Sequence, residues 1–176
     1  MFKKKVPTTD RMIFKLLSKN FYISISIVAL IYFLDRFSKI YVIQLDKNNL
    51  GSEIFNSAYL NIVLIWNKGI AFGLLSFNDL YIYNILSLII SIVIVILVIM
   101  SLKNEGFKRY SLLMIVGGAL GNLHDRIVFN AVPDFIDFHI GNFHWFVFNA
   151  ADIFITVGVI SMIVFETINN NRQKHE

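Results

Sequence analysis

The sequence predicts an α-helical integral membrane protein with four transmembrane helices. Hydrophobic residues make up 56% of the 176 residues and charged residues 16%, and the mean hydropathy is +0.64. Soluble domains carry about 25% charged residues, so this balance indicates a membrane protein. The length suits one domain, and we expect residues 1–176 to form a single membrane-embedded unit. Cysteine is absent, which excludes disulfides, thiolate metal sites and cysteine nucleophiles.

Four apolar stretches account for the predicted spans, because a span needs about 20 mostly apolar residues. They cover 21–34 (extended to about 18–43), 81–100, 110–123 and 147–168. The third is short, but its glycines would allow tight packing against neighbouring helices. The first follows basic residues, as a secretory signal peptide does, yet no small-residue cleavage site follows it. We therefore interpret it as a retained span.

The basic residues are distributed unevenly around these spans. Eleven of the 16 lie in residues 1–19, the 101–110 loop and the C-terminal tail. The other five are Arg36, Lys39, Lys47, Lys68 and Arg126. The positive-inside rule then places both termini in the cytoplasm, with 1–17 and 169–176 as tails. The formal charge is +4, but because the basic residues are distributed in this way, we interpret them as orienting the protein in the membrane and expect no nucleic-acid partner.

The segment 44–80 is predicted to be more than a simple loop on the outer side. It contains "YLNIVLIWNKGIAFGLL", in which β-branched and aromatic residues are mixed with Gly69 and Gly73. This composition indicates short strands at the membrane surface.

Polar residues collect near the outer ends of the first and third spans. In "DRFSK", Asp35 and Lys39 are four apart and share a helix face, so they can pair. In "GGALGNLHDR", Gly117 and Gly121 have the spacing that lets helices approach closely. Asp125, later in the same motif, could pair with Arg126 or with Arg36 on another span. Taken alone, each motif is compatible with a structural polar cluster.

Two aspartates flank the start of the fourth span. Asn149 is suited to cap that helix, and Asp152 in its first turn is stabilised by the helix dipole. That account leaves unexplained why Asp134 lies just before it in sequence. Two carboxylates brought together share a proton, and such a pair can activate water with one member and protonate a carbonyl with the other. This is the chemistry of an aspartic protease.

Other interpretations remain open at this point. His124, His139 and His144, with Asp134 and Asp152, could bind a metal, but their spacing matches no ligand motif. A small ion or proton carrier could use Asp35, Asp125 and Asp152 as relay sites. An assembly subunit would use the polar residues only for helix packing.

The ordered motifs "DRFSK", "NKGIAFG", "GGALGNLHDR", "VPDF" and "FNAAD" together resemble the lipoprotein signal peptidase (signal peptidase II) family. The resemblance implies a four-helix aspartic protease of the bacterial inner membrane, with a small β-structured cradle on its outer face. It implies Asp134 and Asp152 as the catalytic aspartates. The other polar or small motif positions that it implies, in substrate binding or support, are Asp35, Lys39, Asn67, Gly69, Asn122, Arg126, Asn149 and Ala151.

The substrates implied by the resemblance are prolipoproteins, which the family cuts before a cysteine bearing a diacylglyceryl group. Membrane lipid is the other expected partner, and we expect a monomer without metal or cofactor. One departure is Pro133, where the family commonly has valine before the catalytic aspartate. Because proline fixes φ and removes a donor, the local backbone at this position is a point to examine.

Overall fold

The computed structural model describes residues 19–48, 54–69 and 80–173, in which four long helices carry a small antiparallel sheet at one end of the bundle. The elements are, in chain order, α1 Lys19–Asn48, β1 Leu60–Asn67, α2 Leu80–Lys103, α3 Gly106–Phe129, β2 Val132–Ile140, β3 Phe143–Phe148 and α4 Ala150–Gln173. All four helices are long and apolar enough to cross a membrane. The predicted fold class is confirmed. The predicted tail 1–17 lies outside the described residues.

The third helix, α3, is the centre of the bundle and contacts the other three helices. In its most apolar stretch of 18 residues, 56% of the residues are buried, against 11% in the corresponding stretches of α2 and α4. Glycines make this possible: a Cβ on Gly117 would lie 2.9 Å from the Ile31 side chain of α1. A Cβ on Gly118 would lie 2.5 Å from the Ala151 carbonyl oxygen of α4. A Cβ on Gly121 would likewise meet the Asp35 side chain of α1, so the close helix packing expected from the spacing of Gly117 and Gly121 is confirmed.

Several helix boundaries differ from the predicted ones. The third begins at Gly106 and ends at Phe129 rather than covering 110–123, because its charged residues Asp125 and Arg126 are buried and partnered within the helical bundle. The fourth begins at Ala150 rather than 147, and it continues to Gln173 through most of the predicted tail 169–176.

The sheet has the order β1-β2-β3, with both pairs antiparallel. The strand β1 confirms the prediction of strands within 44–80, whereas residues 70–79, with Gly73, lie outside the described part. The other two strands lie between α3 and α4, where no strand was predicted, and the last residues of β3 fall within the predicted fourth span 147–168. Their hairpin turns at Gly141, whose φ is +59°, a conformation that favours glycine.

A left-handed turn places β2 directly after α3. Asn130 ends the helix with φ 52° and donates its backbone N–H to the Arg126 carbonyl, a conformation that Asn tolerates better than most residues. Pro133 then pairs with Trp66 of β1, while β3 pairs with β2 only from Ile136 onward. Proline is tolerated where a strand has a neighbour on one side, so Pro133 is accommodated within the strand.

Candidate active site

A buried cluster of four charged side chains joins α1 to α3. Asp35, Arg36, Lys39 and Asp125 are each between 0% and 8% exposed. Arg36 donates through both terminal nitrogens to Asp125, with Nη2 2.7 Å from Oδ2. Lys39 Nζ lies 2.9 Å from the Asp35 carboxylate and 2.7 Å from Asp125. Two cations and two anions compensate one another, which is the condition for burying charge at acceptable cost.

This cluster extends directly to the start of α4. The Ala151 backbone N–H donates to Asp35 Oδ1 over 3.1 Å, so the carboxylate satisfies a donor of the first helical turn. Lys39 also donates to Asn122 Oδ1 over 2.8 Å, and Asn122 donates onward to Asp152 Oδ1 over 2.8 Å. The chain of contacts therefore holds Asp152 in position from the buried cations outward.

Asn149 and Asp152 cap α4 reciprocally. Asp152 donates its backbone N–H to Asn149 Oδ1, and Asn149 donates its own to Asp152 Oδ2, each over 3.2 Å. This is the pattern of a capping box, and it confirms the capping role expected of Asn149. The Asn149 side chain also donates through Nδ2 to Asp134 Oδ1 over 2.6 Å. One fully buried asparagine thus links the helix start to both aspartates.

Asp134 lies on β2 and is 2% exposed. Its second oxygen accepts a hydrogen bond of 2.9 Å from Asn67 Nδ2 on β1. Burial, followed by the nearby charge of Asp152, raises the pKa of Asp134 to about 6. The amide donors and Lys39 act in the opposite direction. Asp134 is therefore set apart from an ordinary surface aspartate, whose pKa lies near 4.

The backbone of Gly69 connects β1 to the end of α3. Its N–H donates to Asn67 Oδ1 over 2.8 Å, which orients the amide toward Asp134. Its carbonyl accepts from Arg126 Nη2 over 3.2 Å. The guanidinium thereby supports the loop that aims Asn67.

The two aspartates face one cavity of about 460 Å³ between the sheet and the helices. Four polar side chains lie beside the aspartates in its lining: Asn67, Asn122, Arg126 and Asn149. The remainder is lined mainly by apolar side chains of α2, α3 and α4, with Val132 of β2 and Thr156 of α4. A second groove of about 590 Å³ has no carboxylate among its lining residues. The cavity that contains Asp134 and Asp152 is therefore the candidate active site.

All ten residues predicted for the site fall in this one connected region. The predicted Asp35–Lys39 pair is confirmed, and of the two partners considered for Asp125 the structure selects Arg36. Arg126 instead bonds the Gly69 and Asn122 carbonyls. The predicted site did not include Arg36 and Asp125. The sequence did contain an indication of their role: each is a charged residue in or next to an apolar span, and a charge within the membrane is costly unless it has a partner.

The histidines do not join the two aspartates. His124 Nδ1 is 2.9 Å from the Tyr32 hydroxyl between α1 and α3. His139 and His144 lie on the β2–β3 hairpin, close to Asp137. The metal set considered from the sequence, with Asp134 and Asp152, is therefore not assembled by the described residues.

Comparison with known proteins decides the family. The model for signal peptidase (SPase) II matches residues 27–168, a range that contains every residue of the site. The chain belongs to the signal peptidase II family. It is 47% identical over 158 residues to a lipoprotein signal peptidase of Pelagibacter ubique, covering 90% of this chain and 95% of that one. A lipoprotein signal peptidase of Anaplasma phagocytophilum is 43% identical, covering 82% of this chain and 91% of its own length.

The fold comparison agrees with the family. A solved structure of a bacterial membrane enzyme matches with a TM-score of 0.70 and 29% identity, covering 88% of this chain and 93% of that chain. This signal peptidase II family member is thus a membrane protein with the architecture of bacterial membrane enzymes.

Proposed function

We propose that the chain is a membrane aspartic endopeptidase that removes signal peptides from diacylglyceryl-modified prolipoproteins, cutting before the lipidated cysteine. Membership of the signal peptidase II family and the names of the relatives support the substrate class. One observation carries the mechanism: Asp134 and Asp152 face one cavity and are held by the same asparagine, Asn149.

The two aspartates act as a pair with one proton between them. We assign that proton to Asp134, because burial and the nearby charge of Asp152 raise its pKa to about 6 and so favour its protonated form relative to an ordinary aspartate. Asp152 accepts a proton from water as the water oxygen attacks the scissile carbonyl carbon, and Asp134 protonates the carbonyl oxygen. When the C–N bond breaks, Asp152 returns its proton to the leaving nitrogen and Asp134 recovers one from the diol.

The remaining site residues keep this pair in place. Asn67 and Asn149 each occupy one oxygen of Asp134, and Asn122 occupies one oxygen of Asp152. The apolar part of the cavity, lined in part by Ile155 and Val159, suits the hydrophobic portion of a lipidated substrate. Because every one of these residues comes from a single chain, a monomer suffices.

The enzyme works in the bacterial cell (inner) membrane with both termini in the cytoplasm. The distribution of basic residues supports this orientation, and it places the sheet and the site at the outer face. The ion-carrier alternative is less favoured, because Asp35 and Asp125 are already neutralised by Arg36 and Lys39.

The test is cleavage of a lipidated prolipoprotein by purified protein in detergent. Asp134→Asn and Asp152→Asn should each lower turnover by about 10²–10⁴-fold, the range for loss of one acid–base group. Asp46→Asn, an amide substitution in the last turns of α1 and outside the site, is the matched control and should turn over normally. Normal turnover by either site variant would overturn the mechanism.

The cut site is tested with the same precursor lacking the diacylglyceryl group. The lipidated form should be cut immediately before its modified cysteine, as read from the mass of the product, and the unmodified form should be resistant. Equal cleavage of both forms would refute the proposed substrate while leaving the aspartate mechanism to the variants above.

A further inference from the structure

A second group of chemically active side chains lies on the β2–β3 hairpin, apart from the two aspartates of the proposed active site. Asp137, His139 and His144 each bring one potential ligand atom to within 4.8 Å of the others. Asp137 is 4% exposed, His139 is partly buried, and the His144 side chain is 53% exposed. The group thus combines a buried carboxylate, a partly buried imidazole and an exposed imidazole.

The register of the sheet shows how these residues come together. Asp137 pairs with Val147, but His139 pairs with His144, so one extra residue lies on β3 between the two pairs. Directly opposed residues share a face of the sheet, and on β2 the faces alternate, so 137 and 139 share one. The bulge turns His144 to that face, a recognised effect of bulges. Without the bulge, Trp145 would oppose His139.

Two of the polar atoms in the group have no hydrogen-bond partner among the described residues. These are Asp137 Oδ1 and His139 Nδ1, both buried. The other Asp137 oxygen is 2.8 Å from His144 Nδ1, and the two imidazole rings stack at 5.0 Å. A buried polar atom without a partner is costly, and a bound cation would satisfy both atoms at once.

The donor set suits a divalent transition metal. Two imidazoles and one carboxylate are preferred ligands of Zn²⁺, which also accepts three protein ligands with water in the fourth position. Bonds of about 2.0–2.1 Å in a tetrahedral site put ligand atoms about 3.3 Å apart. The group has to close by about 1.5 Å at most, and the exposed His144 side chain can move by rotation.

We propose that Asp137, His139 and His144 form a Zn²⁺ site that ties β2 to β3 on the outer sheet. The site is separate from the proposed catalytic pair. Asp134 and Asp137 are three residues apart on β2, and β2 itself has no bulge, because the extra residues in the sheet lie on β1 and on β3. Residues three apart on such a strand point to opposite faces. The bound ion stabilises the hairpin that carries Asp134 and takes no part in peptide hydrolysis.

The test is isothermal titration of ZnCl₂ into the full chain in detergent, purified without a polyhistidine tag. We expect one Zn²⁺ per chain, and the Kd should rise more than about tenfold in His144→Gln and in Asp137→Asn. His124→Asn and His175→Asn are the matched controls and should bind as the unmodified chain does; His175 lies outside the described residues.

Co²⁺ provides a spectroscopic measurement of the same site. The unmodified chain should give the visible absorption of cobalt in a tetrahedral nitrogen and oxygen environment, and His144→Gln should lose it while remaining active in prolipoprotein cleavage. Three results would each overturn the proposal: no saturable Zn²⁺ binding, unchanged affinity in both hairpin variants, or loss of binding in either histidine control.

Discussion

The buried charge cluster allows two aspartates to be told apart by experiment. Asp125→Asn removes one negative charge from a group of two cations and two anions. Asp134→Asn makes the same chemical change at the proposed catalytic pair. We expect the Asp125 variant to lose mainly stability and the Asp134 variant to lose mainly turnover.

The expected magnitudes follow from the contacts of each side chain. Asp125 is 0% exposed and accepts hydrogen bonds from Arg36 and Lys39, so its loss leaves an uncompensated positive charge in the bundle. Removing one partner of a buried ion pair costs about 3–5 kcal/mol.

At Asp134, an amide offers one acceptor oxygen in place of two, so one of the hydrogen bonds that Asn67 and Asn149 donate to this side chain is lost. An unpaired buried donor costs about 1–3 kcal/mol, and relief of repulsion with Asp152 offsets part of this.

The assay combines thermal unfolding in detergent with turnover per folded molecule, measured side by side for both variants. The Asp125 variant should unfold at the lower temperature, and its folded fraction should cleave prolipoprotein at close to the normal rate. The Asp134 variant should unfold nearer to the unmodified protein and turn over about 10²–10⁴-fold more slowly. If the folded Asp125 variant is inactive and Asp134→Asn cleaves normally, the assignment of the pair is wrong.

Three further predictions follow from the site and the topology. The value of kcat/KM should fall as pH rises through about 6, because Asp134 then loses the proton it must donate. The Asn67→Ala variant lacks a donor that lowers this pKa, so its kcat/KM should fall at higher pH. An unchanged pH profile in that variant would contradict the role of Asp134. Single cysteines at Ala58 and Asn142 should react with an impermeant thiol reagent from outside the cell, and one at Glu105 should not. The chain has no cysteine of its own, so only the introduced residue can react. The reverse labelling pattern would show that the topology is the opposite of the one proposed. A chelator should leave turnover unchanged at temperatures where the protein is folded, and loss of activity restored by Zn²⁺ would instead indicate metal-dependent hydrolysis.

The sequence alone predicted the features that depend on local composition. Apolar runs such as 81–100 predict spans because the hydrocarbon core requires about 20 apolar residues whatever the tertiary fold. Asn149 predicts a helix start because a cap needs only its own helix. The ordered motifs, which resemble those of signal peptidase II, pointed to Asp134 and Asp152.

The tertiary structure decided which of the polar residues meet. Asp125 has Arg126 as its neighbour in sequence, yet it pairs with Arg36, because the packing of α1 on α3 supplies that partner. Arg126 instead donates to the Asn122 and Gly69 carbonyls. The same packing leads from Lys39 through Asn122 to Asp152, which no spacing within one motif could show.

The hairpin was the other decision of the tertiary structure. Strands β2 and β3 were not predicted, because a strand is stabilised by its cross-strand neighbours more than by its own propensity. A single bulge then turns His144 toward Asp137 and His139. Since one residue of register changes the face on which a side chain lies, only the paired sheet could separate that group from Asp134.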